Sequence, residues 1–306
     1  MGRVLFSQGA RGYIVRGIQS TLEKRGFDPK GVDGHYGGDT SAAVRSFQVS
    51  AGLPSDGMVT EETWSALMAA PPPQVNERAL QLTSSFEGHG YTLAQGNWDG
   101  AWLTWGIVGF TMKYGQVQKI LRAVRDQAPG LLTDAFGDSA AELLRVIDSS
   151  PDEQRRWADS VTVGSRIAEP WNTGFHWLGD APEVQEIQRN LARNEYYLPS
   201  VRTAKTWQLK TELGGALCFD IHVQNGGIKP KAAGIIKERL QTSPPQTERD
   251  LRVIIAESVA DAASARFRGD VLGRKLVLAT GKGTVHGAAY QLDQFGLGEV
   301  PSPDLQ

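Results

Sequence analysis

Apolar residues recur with helical spacing on both sides of a proline run, and the spacing breaks at glycine and proline. Ile14, Ile18 and Leu22 fall at i, i+4 and i+8 and predict a first helix ended by Gly26. The stretch VDGHYGGDTSAAVRSFQVSAGL predicts a glycine-rich turn and then a helix. That helix is expected to be capped by Asp39 or Thr40, to carry Ala43, Val44 and Phe47 on its apolar face, and to stop at Gly52. After the turn PSDGMV, Thr60 with Glu61 and Glu62 in the following turn opens a third helix bearing Trp64 and Leu67. Three short helices in so brief a stretch predict a small bundle.

Residues 68–77, MAAPPPQVNE, interrupt the pattern with consecutive prolines, which remove backbone donors and favour extended geometry, so a semi-rigid spacer is expected. The expected layout is a module over 1–69, a linker over 70–76 and a larger domain over 77–306. The larger domain reads as mostly helical. Ala79, Leu82 and Phe86 share one face, Val117, Ile120, Leu121 and Val124 another, and amphipathic runs cover 181–197, 247–267 and 269–280. The exception is WDGAWLTWGIVGFT, 98–111, where aromatic and β-branched residues alternate with glycine and predict a short hairpin or irregular sheet. The fold class is therefore mainly α: a three-helix bundle followed by a largely helical domain with a small β element.

Composition narrows the functional classes. The 306 residues are 40% hydrophobic and 22% charged with net charge −2, which fits a folded two-domain protein and gives no basic excess for nucleic acid. The single cysteine, Cys218, lies in the apolar segment GGALCFDIHV, so no intrachain disulfide forms and an inert buried thiol in a reducing cytoplasm is expected. The first residues lack the apolar run of a secretory signal, and nowhere do about eighteen apolar residues follow one another, so neither a signal peptide nor membrane insertion is expected. His35, His89, His176, His222 and His286 form no HExxH, and CxxC and GxSxG are missing too, so neither metal, cofactor nor serine nucleophile is expected. Asp220 and His222 stand at i, i+2 and diverge on a helix. Gly281-Lys282-Gly283 lacks the spacing of a phosphate loop.

The order of features in VRGIQSTLEKRGF, VDGHYGGDTSAAVRSFQ and GLPSDGMVTEETWSAL, residues 14–68, resembles the type 1 peptidoglycan-binding domain. The resemblance includes the turns Asp33-Gly34 and Asp56-Gly57 and the pairs Phe47-Gln48 and Thr63-Trp64. It implies an anchor on bacterial peptidoglycan that does no chemistry; Phe47 and Trp64 are expected in its core, and the Asp-Gly pairs are turn residues.

The candidate chemistry lies beyond the linker. Glycoside hydrolysis with inversion needs a protonated carboxyl for the leaving oxygen and an ionised carboxylate to activate water. Glu87 ends a predicted helix beside Phe86, where apolar neighbours would raise its pKa; Asp99 lies twelve residues on, in a glycine-flanked, water-accessible turn. With 34 acids in the chain such a pair carries little by itself. The segments TSSFE and DGAWLTWGIVGF, however, resemble the catalytic region of the chitosanase-type inverting glycoside hydrolases of the lysozyme-like superfamily. That resemblance implies Glu87 as general acid, Asp99 as general base and Thr104 as the hydroxyl that helps hold the attacking water. It also implies an Asp and two Arg in a relay behind the acid, matched by motif by Asp220, Arg252 and Arg268, with Arg266 as a substitute for Arg268. An ion pair that only ties helices together is the alternative for these three.

Trp98, Trp102, Trp105, Trp171, Trp177 and Tyr91 are candidates for stacking on sugar rings, with at least half of the tryptophans expected in the core. His89 is a candidate proton partner or a solvated turn residue. The loop between acid and base is shorter than in typical chitosanases, and GYTLAQGNW lacks acids that would attract a polycation, so the expected substrate moves from chitosan to the peptidoglycan glycan. Together the two resemblances imply a modular phage endolysin. Such a protein is a monomeric muramidase made without a signal peptide that reaches the wall by holin-type or other external release. Chitosanase, lytic transglycosylase and a non-catalytic wall-binding phage structural protein are the alternatives.

Overall fold

The computed structural model describes residues 2–306 apart from Gly88 and His89, and Glu87 only as a helical position. The chain forms two compact units, Met1–Phe86 with Glu195–Gln306, and Glu87–Asn194.

The first unit begins with β1 (Val4–Phe6), α1 (Tyr13–Lys24), α2 (Gly38–Ser50), β2 (Val59–Thr60) and α3 (Glu61–Met68). The expected three-helix bundle is present, around a core that includes Phe6, Val15, Ile18, Leu22, Val44, Phe47, Trp64 and Leu67. Thr60 caps α3 as read, its side chain accepting from the Thr63 amide. The cap of α2 differs: Gly37 holds that position, because the Thr40 hydroxyl is engaged by Gln19 and Asp39 falls within the first turn. The antiparallel pair β1–β2 has strands too short to leave an alternation in the sequence.

Two buried glutamines explain the repeated Asp-Gly turns. Gln19 donates through Nε2 to Asp33 Oδ1, the His35 carbonyl and Thr40 Oγ1, and its Oε1 accepts from the Gly34 amide. Gln48 repeats this pattern on Asp56 Oδ1, the Met58 carbonyl, Thr63 Oγ1 and the Gly57 amide. Gly34 and Gly57 both have φ above +70°, where a side chain is strained, and the preceding Asp closes each turn. The module is thus two copies of one helix–turn knot. Gln48→Leu removes every partner of one knot while keeping the volume. Its expected cost is roughly 2–4 kcal/mol, since each buried polar group left unpaired costs about 1–3 kcal/mol. A shift in the urea midpoint checks this, and a change no larger than for a surface residue would show that the knot is incidental.

The proline segment is a short strap and not an extended spacer. Trp64 Nε1 donates to the Pro71 carbonyl at 2.9 Å, Pro73 is buried, and α4 (Val75–Glu87) begins two residues later. Its side of the unit is stitched to the module: the Gln81 Oε1 accepts from the Ile14 amide at 2.5 Å, and Tyr13 donates to the Glu77 carbonyl at 3.1 Å.

The second unit holds a three-stranded antiparallel sheet of β3 (Ala94–Gln95), β4 (Thr104–Trp105) and β5 (Phe110–Thr111), the small β element expected around 98–111. Helices α5 (Gln116–Gln127), α6 (Gly130–Phe136), α7 (Ala140–Ile147) and α8 (Pro151–Ser160) follow. The hairpin β6 (Thr162–Val163) and β7 (Arg166–Ile167) then leads to α9 (Trp171–Asp180) and α10 (Pro182–Ala192). Val117, Ile120, Leu121 and Val124 are buried on α5, and Phe136, Trp157, Trp171 and Phe175 make an aromatic core. The run 181–197 is not one regular helix, because α10 gives way to a π-helical turn at Arg193–Tyr197.

The chain then returns to the first unit as α11 (Leu198–Thr206), α12 (Glu212–Asn225), α13 (Pro230–Thr242), α14 (Glu248–Ala262), α15 (Arg268–Thr280) and the hairpin β8 (Lys282–Val285)–β9 (Ala288–Gln291). From Glu212 to Ile221, α12 is buried at every position. Glu212, fully buried at its start, pairs with Arg78 of α4 at 2.9 Å and with Arg3 beside β1, joining module, α4 and α12. No described helix is long and apolar enough to cross a membrane.

Candidate active site

The last turn of α4, which ends at Glu87, is fastened from within the first unit. Thr83 Oγ1 donates to Asp220 Oδ1 at 3.1 Å, and the Ser85 carbonyl accepts from the Tyr290 hydroxyl at 3.0 Å. The Phe86 ring meets Tyr290 edge-on with centroids 4.8 Å apart and lies under the Arg274 guanidinium at 5.2 Å. The Glu87 side chain and His89 lie outside the described residues.

Asp220 is the hub of this support. It is fully buried on α12, and α15 supplies its counter-charges: Arg274 Nε at 2.8 Å and Lys275 Nζ at 2.5 Å, both themselves buried. Burial alone would raise the carboxyl's pKa, but Arg274 and Lys275 outweigh it and hold Asp220 below the ordinary carboxylate range. The expected relay of Asp220 with Arg252 and Arg268 is therefore corrected. Arg252 turns its buried guanidinium to the Ala279 carbonyl, Thr211, Glu248 and Glu299, and Arg268 pairs with Asp261 at 2.7 Å on a more exposed surface. The signal that identifies the partners is Arg274-Lys275 itself, two adjacent cations inside the apolar run of VLGRKLVLAT, where burial demands an acid.

Asp99 sits on an exposed loop of the second unit between β3 and β4, with Oδ1 accepting from the Ala101 amide at 3.0 Å. Asn97, unassigned from sequence, shapes that loop. Its Oδ1 accepts from the Trp102 amide at 2.9 Å, its Nδ2 donates to Asp159 at 2.6 Å, and its own amide donates to Thr162 Oγ1 at 2.8 Å. The first of these bonds holds Trp102 at φ +70°, strained for an aromatic residue and a mark of an over-determined loop. Thr104 follows on β4, half-buried, opposite Gln95 and Thr111. Asp99 and Thr104 thus share one loop-and-hairpin element.

The aromatic candidates divide. Trp98 is 58% exposed beside Asp99, and Trp102 is half-buried in the same loop. Trp177 is 43% exposed on α9. Trp105 is corrected from a sugar platform to a core residue: it is fully buried, and its Nε1 donates to the Phe175 carbonyl at 3.1 Å. Tyr91 is likewise buried, with its hydroxyl accepting from Arg189 at 3.1 Å, and Trp171 packs against Trp157 and Phe136. In each case helical or strand packing claims the ring face that a pyranose would need.

Cys218 is buried on α12, and burial pushes its thiol up to about 12, far from a thiolate nucleophile. Among the described residues, no three His, Cys, Asp or Glu side chains converge to hold a metal.

Residues 11–67 match the family described as "Putative peptidoglycan binding domain". The GH46 chitosanase of Gynuella sunshinyii, solved with chitotetraose, superposes with TM-score 0.50 at 15% identity over 72% of this chain and 98% of its own. A native chitosanase from Bacillus subtilis MY002 gives TM-score 0.47 at 21% identity over 67% and 87%. None of the curated proteins matches the chain. Residues 11–67 are thus similar to a peptidoglycan-binding domain, and the chain shares its fold with the Gynuella GH46 chitosanase.

Proposed function

We propose that this protein is a glycoside hydrolase that cuts the glycan strands of bacterial peptidoglycan, with Glu87 as general acid, Asp99 as general base and Thr104 beside the attacking water. The observation that carries the reading is the contrast between two acidic positions. The helix turn ending in Glu87 is braced by the buried Asp220–Arg274–Lys275 cluster, whereas Asp99 stands in an exposed, internally bonded loop open to water. An acid carried on a braced helix turn and a solvated base suit an inverting displacement. The wall-binding family match over 11–67 supports peptidoglycan as the polymer, and the loop 90–98 supplies no acids of its own for a polycation.

In this reading residues 1–69 anchor, 77–306 cleave, Trp98 and Trp102 meet the sugar, and the protein acts as a monomeric endolysin. The chitosanase reading is favoured by the fold shared with the Gynuella enzyme alone. Mass spectrometry of borohydride-reduced fragments from purified peptidoglycan, run beside chitosan, separates the two. Reduced N-acetylmuramic acid ends are expected. Anhydro-muramic ends would make it a transglycosylase, chitosan oligomers alone a chitosanase, and no fragments a binding protein.

A further inference from the structure

The C-terminal hairpin reaches the end of α4 through a residue that the sequence offers no role. Strands β8 and β9 pair Val285 with Ala288, leaving His286-Gly287 as a two-residue turn with φ +50° and +80°. Positive φ at both positions is the type I′ pattern, for which Asn-Gly is the favoured sequence and histidine is a costly choice. The imidazole uses both nitrogens: Nδ1 lies 2.9 Å from the Phe86 carbonyl oxygen, and Nε2 lies 2.6 Å from Asp270 Oδ1 on α15. A carbonyl and a carboxylate only accept, so both ring nitrogens carry protons and the ring is an imidazolium.

Asp270 is held in turn. Its Oδ2 accepts from Gln224 Nε2 of α12 at 2.8 Å, and the Gln224 Oε1 accepts from Lys275 Nζ at 2.5 Å, the same ammonium that pairs with Asp220. One chain of bonds therefore runs from Asp220, which holds Thr83, through Lys275, Gln224, Asp270 and His286 to the Phe86 carbonyl. It grips the last turn of α4 at two points, the second one peptide before Glu87.

We propose that His286 is a positioning residue for the reaction: its imidazolium caps the C-terminal end of α4 at the Phe86 carbonyl and holds the helix turn to which Glu87 belongs. The inference rests on the assignment of Glu87 as the acid. A cation on a C-terminal helix carbonyl is favourable for the helix as well as for the bond. The groups facing the ring are Asp270 and Arg274 from α15 and the peptide carbonyl of Phe86 from α4. The bond to Asp270, and then that to Phe86, raise its pKa above the ordinary imidazole value against partial burial and Arg274. As pH rises through that raised value, the ring loses one proton; the one that remains stays on Nε2 against the charged Asp270 carboxylate, so Nδ1 no longer donates to the Phe86 carbonyl and the grip on α4 is lost.

His286→Asn is the informative variant, because Asn-Gly suits the turn better while the side chain is uncharged and shorter. Its expected thermal midpoint equals or exceeds the native one, while kcat below the titration drops roughly tenfold with KM unchanged, in keeping with the rate cost of small displacements. The native-to-variant ratio of kcat should close toward unity as pH rises past the His286 titration. A ratio near one at every pH, or one that never closes, overturns the proposal. If the native protein cleaves neither peptidoglycan nor chitosan, the assignment of Glu87 fails separately, and nitrogen-15 NMR of the full chain decides the rest. The Glu87 amide should then titrate with the His286 ring, and independence of the two overturns the proposal.

Discussion

Glu87→Gln is expected to lower turnover of peptidoglycan by roughly a hundredfold to ten-thousandfold, the contribution of a positioned general acid, while binding to insoluble wall is retained. Glutamine keeps the volume at the end of α4 and leaves the braces on Thr83, Ser85 and Phe86 intact, so the fold should not change. Only the transferable proton is lost. Asp99→Asn should cost a similar factor, because an amide at the exposed loop cannot take a proton from water even though its oxygen still accepts from the Ala101 amide. The pair is diagnostic, since a transglycosylase that uses the substrate's own hydroxyl needs one acid and would keep near-native rates after Asp99→Asn. Fragment release and co-sedimentation with wall are the measurements. Loss of both rate and wall binding in Glu87→Gln would show damage to the fold instead of removal of an acid.

How much of this was legible in the chain depended on whether a role leaves a local pattern. The three helices of the module and the hairpin at 104–111 are written in spacing, glycine and capping residues, and they are found where that pattern places them. The twin glutamine knots were half legible: the Asp-Gly turns are visible, but nothing local says that Gln19 and Gln48 are buried beneath them. The partners of Asp220 were missed because the four arginines on α14 and α15, Arg249, Arg252, Arg268 and Arg274, fit equally well when only their helix is known. Which one faces Asp220 is decided by the rotation of each helix about its axis, and Arg274 and Lys275 lie on the buried side while Arg268 does not. Trp105 and Trp98 are chemically identical in sequence; the pleat of β4 turns one into the core, and the bend before it leaves the other in water. His286 carried the least signal, since its partners are sixteen and two hundred residues away.

Asp220→Ala is expected to be the most destabilising of these substitutions, by about 3–5 kcal/mol, because it removes the buried carboxylate that Arg274 and Lys275 share. Arg274 and Lys275 are 1% and 0% exposed, so neither can turn to water without opening α15 from α12. Asp220→Asn keeps an oxygen for Thr83 and should recover the packing but not the charge, falling between native and alanine. The pH dependence gives an independent sign. Because the native Asp220 pKa lies below the ordinary carboxylate value, its contribution is fully present above the range where an unfolded aspartate titrates and is lost as pH falls through the folded value. Native stability should therefore drop on acidification more steeply than that of Asp220→Asn, and the two urea midpoints should converge at low pH. Hydrogen exchange localises the effect. Faster exchange in α12, α15 and the last turn of α4 is expected in Asp220→Ala, with the module around Gln19 and Gln48 less affected. Uniform exchange across the chain would mean that the cluster braces no particular element, and the link from Asp220 to the end of α4 would lose its functional weight.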